Sequence, residues 1–305
     1  MKRRYFLVVS FVFGTVLGWS WQSGNSKDLI HETETAVNPT KIVSIPTTEP
    51  LLRFVSVADT GTGEPEQYAV AEAITRYHQQ HPFNLVILGG DNIYPNGEIE
   101  RIEAVFEKPY QSLLQRGVKF QACLGNHDLR TQNGDLQLSY PGFNMQGRYY
   151  SFRRDPVEFF ALDTNKNADW STQIAWLEEQ LRRSKAAWKV VFGHHQVYSS
   201  GVYGVNEKLI ETLTPLFKKY GVQLYINGHD HHYERTGSIE GTTYLVCGAG
   251  AKSRPVKRSA WTEYSTQEFS FAAFEVYPDQ IIVRGINTQN QVFDQGVIVN
   301  SSLSL

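Results

Sequence analysis

The sequence is short of cysteine and methionine, and neither sign of charge is in large excess. Its 305 residues include only two cysteines, Cys123 and Cys247. Two cysteines are too few for a disulfide-rich scaffold or a cysteine-based zinc finger. Lysine and arginine number 29 against 31 aspartates and glutamates, so no basic surplus exists to drive non-specific nucleic-acid binding. Any metal bound by this chain must therefore be held by histidine, asparagine, tyrosine or carboxylate side chains.

The N-terminal residues differ in composition from the rest of the chain. Lys2, Arg3 and Arg4 precede an apolar run over residues 5–21, a pattern typical of an export signal. The run Arg3-Arg4-Tyr5-Phe6-Leu7 also resembles a twin-arginine signal, so we expect a periplasmic or secreted protein, exported by that route or by the general one. The alternative is an uncleaved anchor that tethers the protein to a membrane through residues 5–21.

The remainder divides into a linker and one domain. Residues 22–50 are rich in Thr, Ser, Asn, Glu and Pro and predict a flexible linker, whereas residues 51–300 predict a single folded domain. In that domain short apolar strands alternate with amphipathic helices, which indicates an α/β fold. The predicted helices span 66–80, 98–114 (interrupted near Pro109), 171–184 and 206–220. We expect Cys123 and Cys247 to be buried thiols in strands rather than a disulfide.

Five predicted strands are each followed at once by a glycine-containing polar motif. The motifs are Asp59-Thr60-Gly61, Gly90-Asp91, Gly125-Asn126-His127-Asp128, Gly193-His194-His195 and Gly228-His229-Asp230-His231-His232. In open α/β sheets ligands bind at the carboxyl ends of the strands, and glycine allows the chain to turn sharply there. Six of the eight histidines that follow Leu51 lie in the last three motifs. This concentration predicts one site at one edge of the sheets.

The side chains of these motifs are oxygen and nitrogen ligands. Such donors suit Zn²⁺, Mn²⁺ or iron, and thiolate ligands are missing from the motifs. Their number exceeds what one tetrahedral metal can accept. It fits two adjacent cations bridged by a carboxylate, as in bimetallic phosphatases.

At these residues the chain resembles the calcineurin-like metallophosphoesterase superfamily. All five blocks of that superfamily's signature are present and in order. The sequence Gly90-Asp91-Asn92-Ile93-Tyr94 and the block Val191-Phe192-Gly193-His194 are similar to those of purple acid phosphatases. The likeness is to the small, single-domain enzymes of the tartrate-resistant type. The resemblance implies a four-layer α/β/β/α sandwich with the motifs at strand ends.

The resemblance also implies a ligand set. One metal would be held by Asp59, Asp91, Tyr94 and His231, and the other by Asp91, Asn126, His194 and His229, with Asp91 bridging. A tyrosine phenolate favours Fe³⁺, because a strongly acidic cation is needed to deprotonate it far below its usual pKa of about 10. The second metal would be Fe²⁺, Zn²⁺ or Mn²⁺. These cofactors imply a coloured acid phosphatase.

The implied activity is hydrolysis of small phosphomonoesters, with His127 stabilising the transition state or protonating the leaving oxygen. Asp128 is a candidate to hold the His127 ring. The family's substrate-side histidine has no clear match in residues 196–201, and His195 is a candidate to replace it. His232 is a further candidate behind the metals or at the substrate.

Two alternatives stay open: a phosphodiesterase or nucleotidase of the same superfamily, and a non-enzymatic, metal-bound scaffold.

Five more side chains lie in segments that could border the site: Arg148, Tyr149, Tyr150, Tyr198 and Tyr203.

Overall fold

The computed structural model describes Pro46 and residues 48–300. The predicted export segment (1–21), and nearly all of the predicted linker (22–50), lie outside these residues. Thirteen strands are present in the described part: β1 Leu52–Val57, β2 Leu85–Leu88, β3 Lys119–Ala122, β4 Tyr150–Arg154, β5 Val157–Ala161, β6 Trp188–Phe192, β7 Leu224–Asn227, β8 Tyr233–Ile239, β9 Thr242–Cys247, β10 Thr262–Thr266, β11 Ser270–Val276, β12 Gln280–Asn287 and β13 Val292–Val299.

The strands form two mixed sheets. The first sheet has the order β13-β12-β11-β1-β2-β3, and the second has the order β10-β8-β9-β7-β6-β5-β4. Strands β1, β2 and β3 run parallel, as do β5, β6, β7 and β9. Among the parallel strands β2 is apolar at every position, and β2, β7 and β9 are buried along their whole length, as expected for strands covered on both faces.

The helices cover the outer faces of the two sheets. Their bounds are α1 Pro65–Gln80, α2 Gln111–Gln115, α3 Asp135–Leu138, α4 Trp170–Arg183 and α5 Glu207–Tyr220. Side chains alternate along each strand, so Phe54 and Phe159 meet between the sheets while Val55 packs under α1 and Phe160 packs under α4 and α5. The four-layer α/β/β/α prediction is therefore confirmed.

Single side chains set where the long helices begin. Pro65 occupies the first turn of α1, and the side chains of Asp169 and Asn206 accept the amide protons of Thr172 and Leu209 at the starts of α4 and α5. Among the described residues no helix is both long and apolar enough to cross a membrane.

The predicted elements differ from the structure at polar or irregular segments. The helix predicted over 98–114 is broken into a 3₁₀ turn (Ile99–Arg101), a π-helical turn (Glu103–Glu107) and α2. Strands β4, β8 and β10 were not predicted, because they are amphipathic or polar segments in the outer part of the second sheet. Cys123 and Cys247 are buried and unpaired, as expected.

Candidate metal centre

The loops that follow β1, β2, β3, β6 and β7 lie against one another. The amide of Asp59 donates to the carbonyl of Gly90 (3.0 Å), and the amide of His229 donates to Oδ2 of Asp59 (2.9 Å), which joins the second sheet to the first. Glycine is required at these contacts, because a Cβ on Gly125 would collide with Asp91 and a Cβ on Gly228 would collide with Asp59. The strand-end glycines therefore bring the five loops together.

Three of the predicted ligands adopt left-handed backbone conformations. The φ angles are 58° at Asp59, 51° at Asp91 and 68° at His229. Such angles are uncommon outside glycine, although Asp and His tolerate them better than most residues, and each costs about 1–3 kcal/mol. The surrounding loops maintain these strained conformations, which direct the three side chains to one place.

The first cluster of ligand atoms, the tyrosine group, consists of Asp59, Tyr94 and His231. The Tyr94 hydroxyl donates to Asp59 Oδ1 (3.0 Å) and lies 3.3 Å from His231 Nε2, which is itself 3.3 Å from Asp59 Oδ1. Burial and the carboxylates of Asp59 and Asp91 raise the pKa of Tyr94 well above its usual value. The phenol is therefore neutral unless a strong Lewis acid replaces its proton.

The second cluster, the amide group, consists of Asn126, His194 and His229. Nε2 of His194 lies 3.1 Å from Asn126 Oδ1 and 3.2 Å from His229 Nδ1. Nδ1 of His194 donates to the carbonyl of Gly89 (2.9 Å), which fixes the ring so that Nε2 faces the cluster. Burial alone would lower the pKa of His194, but the carboxylates of Asp91 and Asp59 raise it, so a cation would take the place of a proton on Nε2. Burial and the neighbouring rings of His194, His195 and His231 lower the pKa of His229, so its imidazole is neutral and can act as a ligand.

Asp91 lies between the two groups. Its Oδ1 is 3.5 Å from His194 Nε2 and accepts the amide proton of His127 (2.9 Å), and the charge of its carboxylate contributes to the raised pKa of Tyr94. Ligand atoms of Asp59, Asp91 and His194 lie within 4.8 Å of one another, and all three side chains are buried. The structure thus brings together all seven predicted ligands as two clusters around one carboxylate.

His127 lies at the rim of this arrangement. Its Nδ1 bonds to the carbonyl of Pro95 (2.6 Å), and its Nε2 lies 3.2 Å from Nη2 of Arg130 and 3.9 Å from Asp91 Oδ2. Its ring packs against that of Tyr94 with centroids 4.5 Å apart. The Nε2 atom therefore faces the centre without joining either ligand group.

Asp128 does not hold the His127 ring, contrary to expectation. Its carboxylate accepts hydrogen bonds from the amides of Asn92, Ile93 and Gly125. The His127 ring is held instead by the carbonyl of Pro95. Burial and the charge of Asp91 raise the pKa of Asp128 to about 7. Its role is to join the loop after β2 to the loop after β3, behind the ligands.

His195 borders a cavity of about 830 Å³ that opens next to the amide group. The Thr164 hydroxyl accepts the amides of both His194 (3.1 Å) and His195 (2.9 Å), so its own proton is donated to His195 Nδ1 (2.9 Å). Burial lowers the pKa of His195 to about 3, which keeps the ring neutral with its remaining proton on Nε2. That nitrogen makes no hydrogen bond within the described chain and is free to donate.

His232 is fully buried and does not border the cavity. Its ring lies between Asp230 (3.6 Å) and Glu234 (3.4 Å), and these carboxylates raise its pKa although burial alone would lower it. The carboxylates of Asp230 and Glu234 also accept hydrogen bonds from the segment 199–203. His232 is therefore not a substrate residue; it helps to hold the segment that carries Tyr203.

Of the five proposed border residues, only Tyr203 lines the cavity. Its ring stacks on the His229 ring at 4.3 Å and 20°. By contrast, Arg148 bonds to Asp135 and Asp163, and Tyr150 lies between the sheets. Tyr149 and Tyr198 pack against other aromatic rings.

Three residues near the centre were missed in the sequence. Thr164, Arg130 and Lys252 all contact predicted site residues. Thr164 and Lys252 had a signal, since both follow parallel strands: Thr164 lies after β5, and Lys252 follows β9 through the glycine-rich run Gly248-Ala249-Gly250.

Comparison with known proteins identifies the family of the chain. A family model described as calcineurin-like phosphoesterase matches residues 52–233. Purple acid phosphatase 7 of Arabidopsis thaliana is 30% identical over 235 residues, covering 66% of this chain and 71% of that protein. Tartrate-resistant acid phosphatase type 5 of Mus musculus is 29% identical over 240 residues, covering 66% and 73%. The predicted resemblance is thereby confirmed.

Solved structures share the fold at lower identity. A purple acid phosphatase from yellow lupin superposes with a TM-score of 0.69 at 20% identity, covering 84% of this chain and 55% of that one. GAP50, described as the anchor in the inner membrane complex of Plasmodium, superposes with a TM-score of 0.73 at 21% identity, covering 82% and 89%. Because the fold alone includes both an enzyme and an anchor, activity must be inferred from the site.

Proposed function

The chain belongs to the calcineurin-like phosphoesterase family and is a binuclear metal-dependent acid phosphatase of the purple acid phosphatase type, and we propose that it hydrolyses phosphomonoesters with Fe³⁺ beside Tyr94. The observation that carries this proposal is the pair of ligand groups on either side of Asp91. Two cations bound there would polarise phosphoryl oxygens and lower the pKa of bound water.

The donor atoms fit two different cations. Asp59, Asp91 and Tyr94 supply hard oxygen donors to one position, which suits Fe³⁺. His194, His229 and Asn126 supply neutral nitrogen and amide donors to the other, which suits Fe²⁺, Zn²⁺ or Mn²⁺. The buried carboxylates of Asp59 and Asp91 have no lysine or arginine ion pair among the described residues, so their charge is available for metals.

His127 would serve the leaving group. With its Nδ1 proton held by Pro95, Nε2 is the atom that can carry a proton to a leaving oxygen at the rim of the site. His195 would donate its Nε2 proton to a phosphoryl oxygen or to the ester oxygen from the cavity side. In this proposal His195 replaces the substrate-side histidine that residues 196–201 lack.

The competing activities make different demands on the site. A phosphodiesterase has no evident need for Tyr94, and a scaffold has no need for intact ligand groups or for the oriented rings of His127 and His195. We therefore favour a phosphomonoesterase over both.

The test is turnover and metal content of the purified protein. We expect hydrolysis of p-nitrophenyl phosphate with an acid optimum, two metals per chain including iron, and a visible absorption band. A colourless protein with full activity and two metals other than iron would overturn the iron assignment and leave the phosphatase activity standing. A protein that binds metals but turns over neither a monoester nor a diester would overturn the activity.

We also propose that the protein is exported, on the basis of Arg3 and Arg4, which lie outside the described residues. A twin-arginine route carries folded proteins and would allow metals to be loaded before translocation. Replacing both arginines by lysine should retain the protein in the cytoplasm. Unchanged export would instead indicate the general secretory route, and recovery in the membrane fraction would indicate an uncleaved anchor.

A further inference from the structure

Lys252 lies over the metal-facing tyrosine and has no acidic partner. Its Nζ is 3.7 Å from the centroid of the Tyr94 ring. The ammonium makes no hydrogen bond or ion pair in the part of the chain that the structure describes. A lysine ammonium that is partly shielded from water on an aromatic ring, without a carboxylate, is a binding group for an anion.

The backbone fixes the position of this lysine. The amide of Gly250 donates to the carbonyl of Ala58 (3.2 Å), and the amide of Ala58 donates to the carbonyl of Cys247 (3.0 Å), so the turn after β9 is attached to the loop that carries Asp59. A Cβ on Gly250 would collide with that loop. Because the turn is held on both sides, Lys252 is delivered to the tyrosine group and not to bulk solvent.

Two arginines extend the positive charge around the centre. Arg254, two residues after Lys252, lies over the Tyr203 ring at 5.0 Å, and its Nη1 is buried without a hydrogen-bond partner. Arg130 lies beside His127. Burial lowers the pKa of Lys252, and the carboxylates of Asp91 and Asp59 are the charges that oppose this most. The lysine therefore lies within electrostatic reach of both proposed metal positions.

The space around the centre is unequal on its two sides. The cavity of about 830 Å³ opens beside Asn126, His195 and His229, which leaves room for one ester group. The tyrosine group has Lys252 above it, and Tyr94 is only 3% exposed. A phosphodiester has two ester groups, and its second group would meet the lysine.

We propose that Lys252 selects phosphomonoester dianions, by binding a terminal phosphoryl oxygen with its ammonium and by occupying the side that a second ester group would need. This inference rests on the proposed monoesterase function. Above its second pKa of about 6 a monoester carries one more negative charge than a diester, so in assays above that pH removal of the lysine charge penalises the monoester more. Loss of a charge-assisted hydrogen bond corresponds to about tenfold to a hundredfold in affinity.

The test compares Lys252→Met with Lys252→Arg, which keeps the charge, and with Lys257→Met, which removes an exposed lysine from the same loop. Each dimetal protein is assayed with p-nitrophenyl phosphate and bis(p-nitrophenyl) phosphate, and binding of inorganic phosphate is measured by calorimetry. We expect Lys252→Met to raise KM for the monoester and Kd for phosphate by about tenfold or more, with less than about threefold loss on the diester. Lys252→Arg should recover most of the phosphate affinity, and Lys257→Met should resemble the wild type.

Equal losses on both esters, or unchanged phosphate affinity in Lys252→Met, would overturn the proposal. Metal content and thermal melting of each variant establish that the centre and the fold are intact. Failure of the wild type to hydrolyse either ester would refute the proposed function, whereas the phosphate measurement would still report on Lys252.

Discussion

The two ligand groups of the centre lie in different surroundings. The tyrosine group is enclosed, with Asp59 and Tyr94 buried and Lys252 above them. The amide group opens on the cavity, where Tyr203 stacks on His229 and His195 offers a free donor. Both groups are formed by side chains of glycine-containing turns that follow parallel strands. The loops that cover them differ, so in the proposed function the enclosed side would retain a hard cation while the open side would admit and release the ester.

The largest expected effect comes from the residue shared by both sides. Asp91→Asn removes the charge of the proposed bridge, so we expect metal loss from both positions and nearly complete loss of turnover. Asp163→Asn is the matched control, since Asp163 is also a buried aspartate after a parallel strand but contacts neither ligand group. Retention of two metals with activity within about tenfold of wild type would refute the bridge, because loss of a carboxylate that holds both cations should remove the groups that polarise the phosphoryl oxygens.

His127→Ala tests the rim between the two sides. Removal of a general acid typically costs about 10²–10⁴ in rate, so kcat for poor leaving groups should fall by that amount while metal content is unchanged. Activated leaving groups should suffer less, since they need no proton. His81→Ala, at the end of α1, is the control. Metal loss equal to the loss of rate would make His127 a ligand and not a proton donor.

Tyr94→Phe separates the enclosed side from the open one. Only a hydroxyl is lost, so the fold should persist while the visible band disappears. Asn126→Ala, on the open side, should keep the colour, because the tyrosine group is intact. Absorption spectra and iron analysis of both variants measure the visible band and the iron content. A band that survives in Tyr94→Phe would show that the Tyr94 phenolate is not its source.

The smallest effect is expected in the cavity. Thr164→Val removes the proton that orients His195, and loss of that neutral hydrogen bond predicts a change of about tenfold or less in kcat/KM. The same change removes the acceptor for the amides of His194 and His195, so metal content and thermal melting are measured alongside. His195→Gln should have a similar effect, because it removes the oriented donor. If both variants match wild type on bulky monoesters, His195 has no role at the substrate.

Six of the seven proposed ligands could be predicted from local sequence, because each lies in a strand-end motif; the seventh, Tyr94, was predicted only from the resemblance to purple acid phosphatases. A short apolar strand followed by glycine and a polar residue places that residue at the sheet edge wherever the strand lies in the sheet. The polar strands β4, β8 and β10 carried no such signal, and neither did the break in the helix predicted over 98–114.

The surroundings of the ligands could not be predicted in this way. Asp128 was assigned to the neighbouring His127, but its carboxylate satisfies buried amides at positions 92, 93 and 125, which proximity in sequence does not reveal. Likewise His232 follows His231 directly, and yet it points to Asp230 and Glu234 and away from the metals. In both cases the satisfaction of buried polar groups decided the orientation.

By itself the sequence determined the fold class, the ligand types and their arrival at one edge, because strand period and glycine turns are local properties. Only the tertiary structure decided which side of the centre is enclosed, which tautomer His195 adopts and where the Lys252 charge lies. The latter features depend on contacts between segments far apart in sequence, such as Tyr94 and Lys252, which are 158 positions apart and pack together only when both sheets have formed.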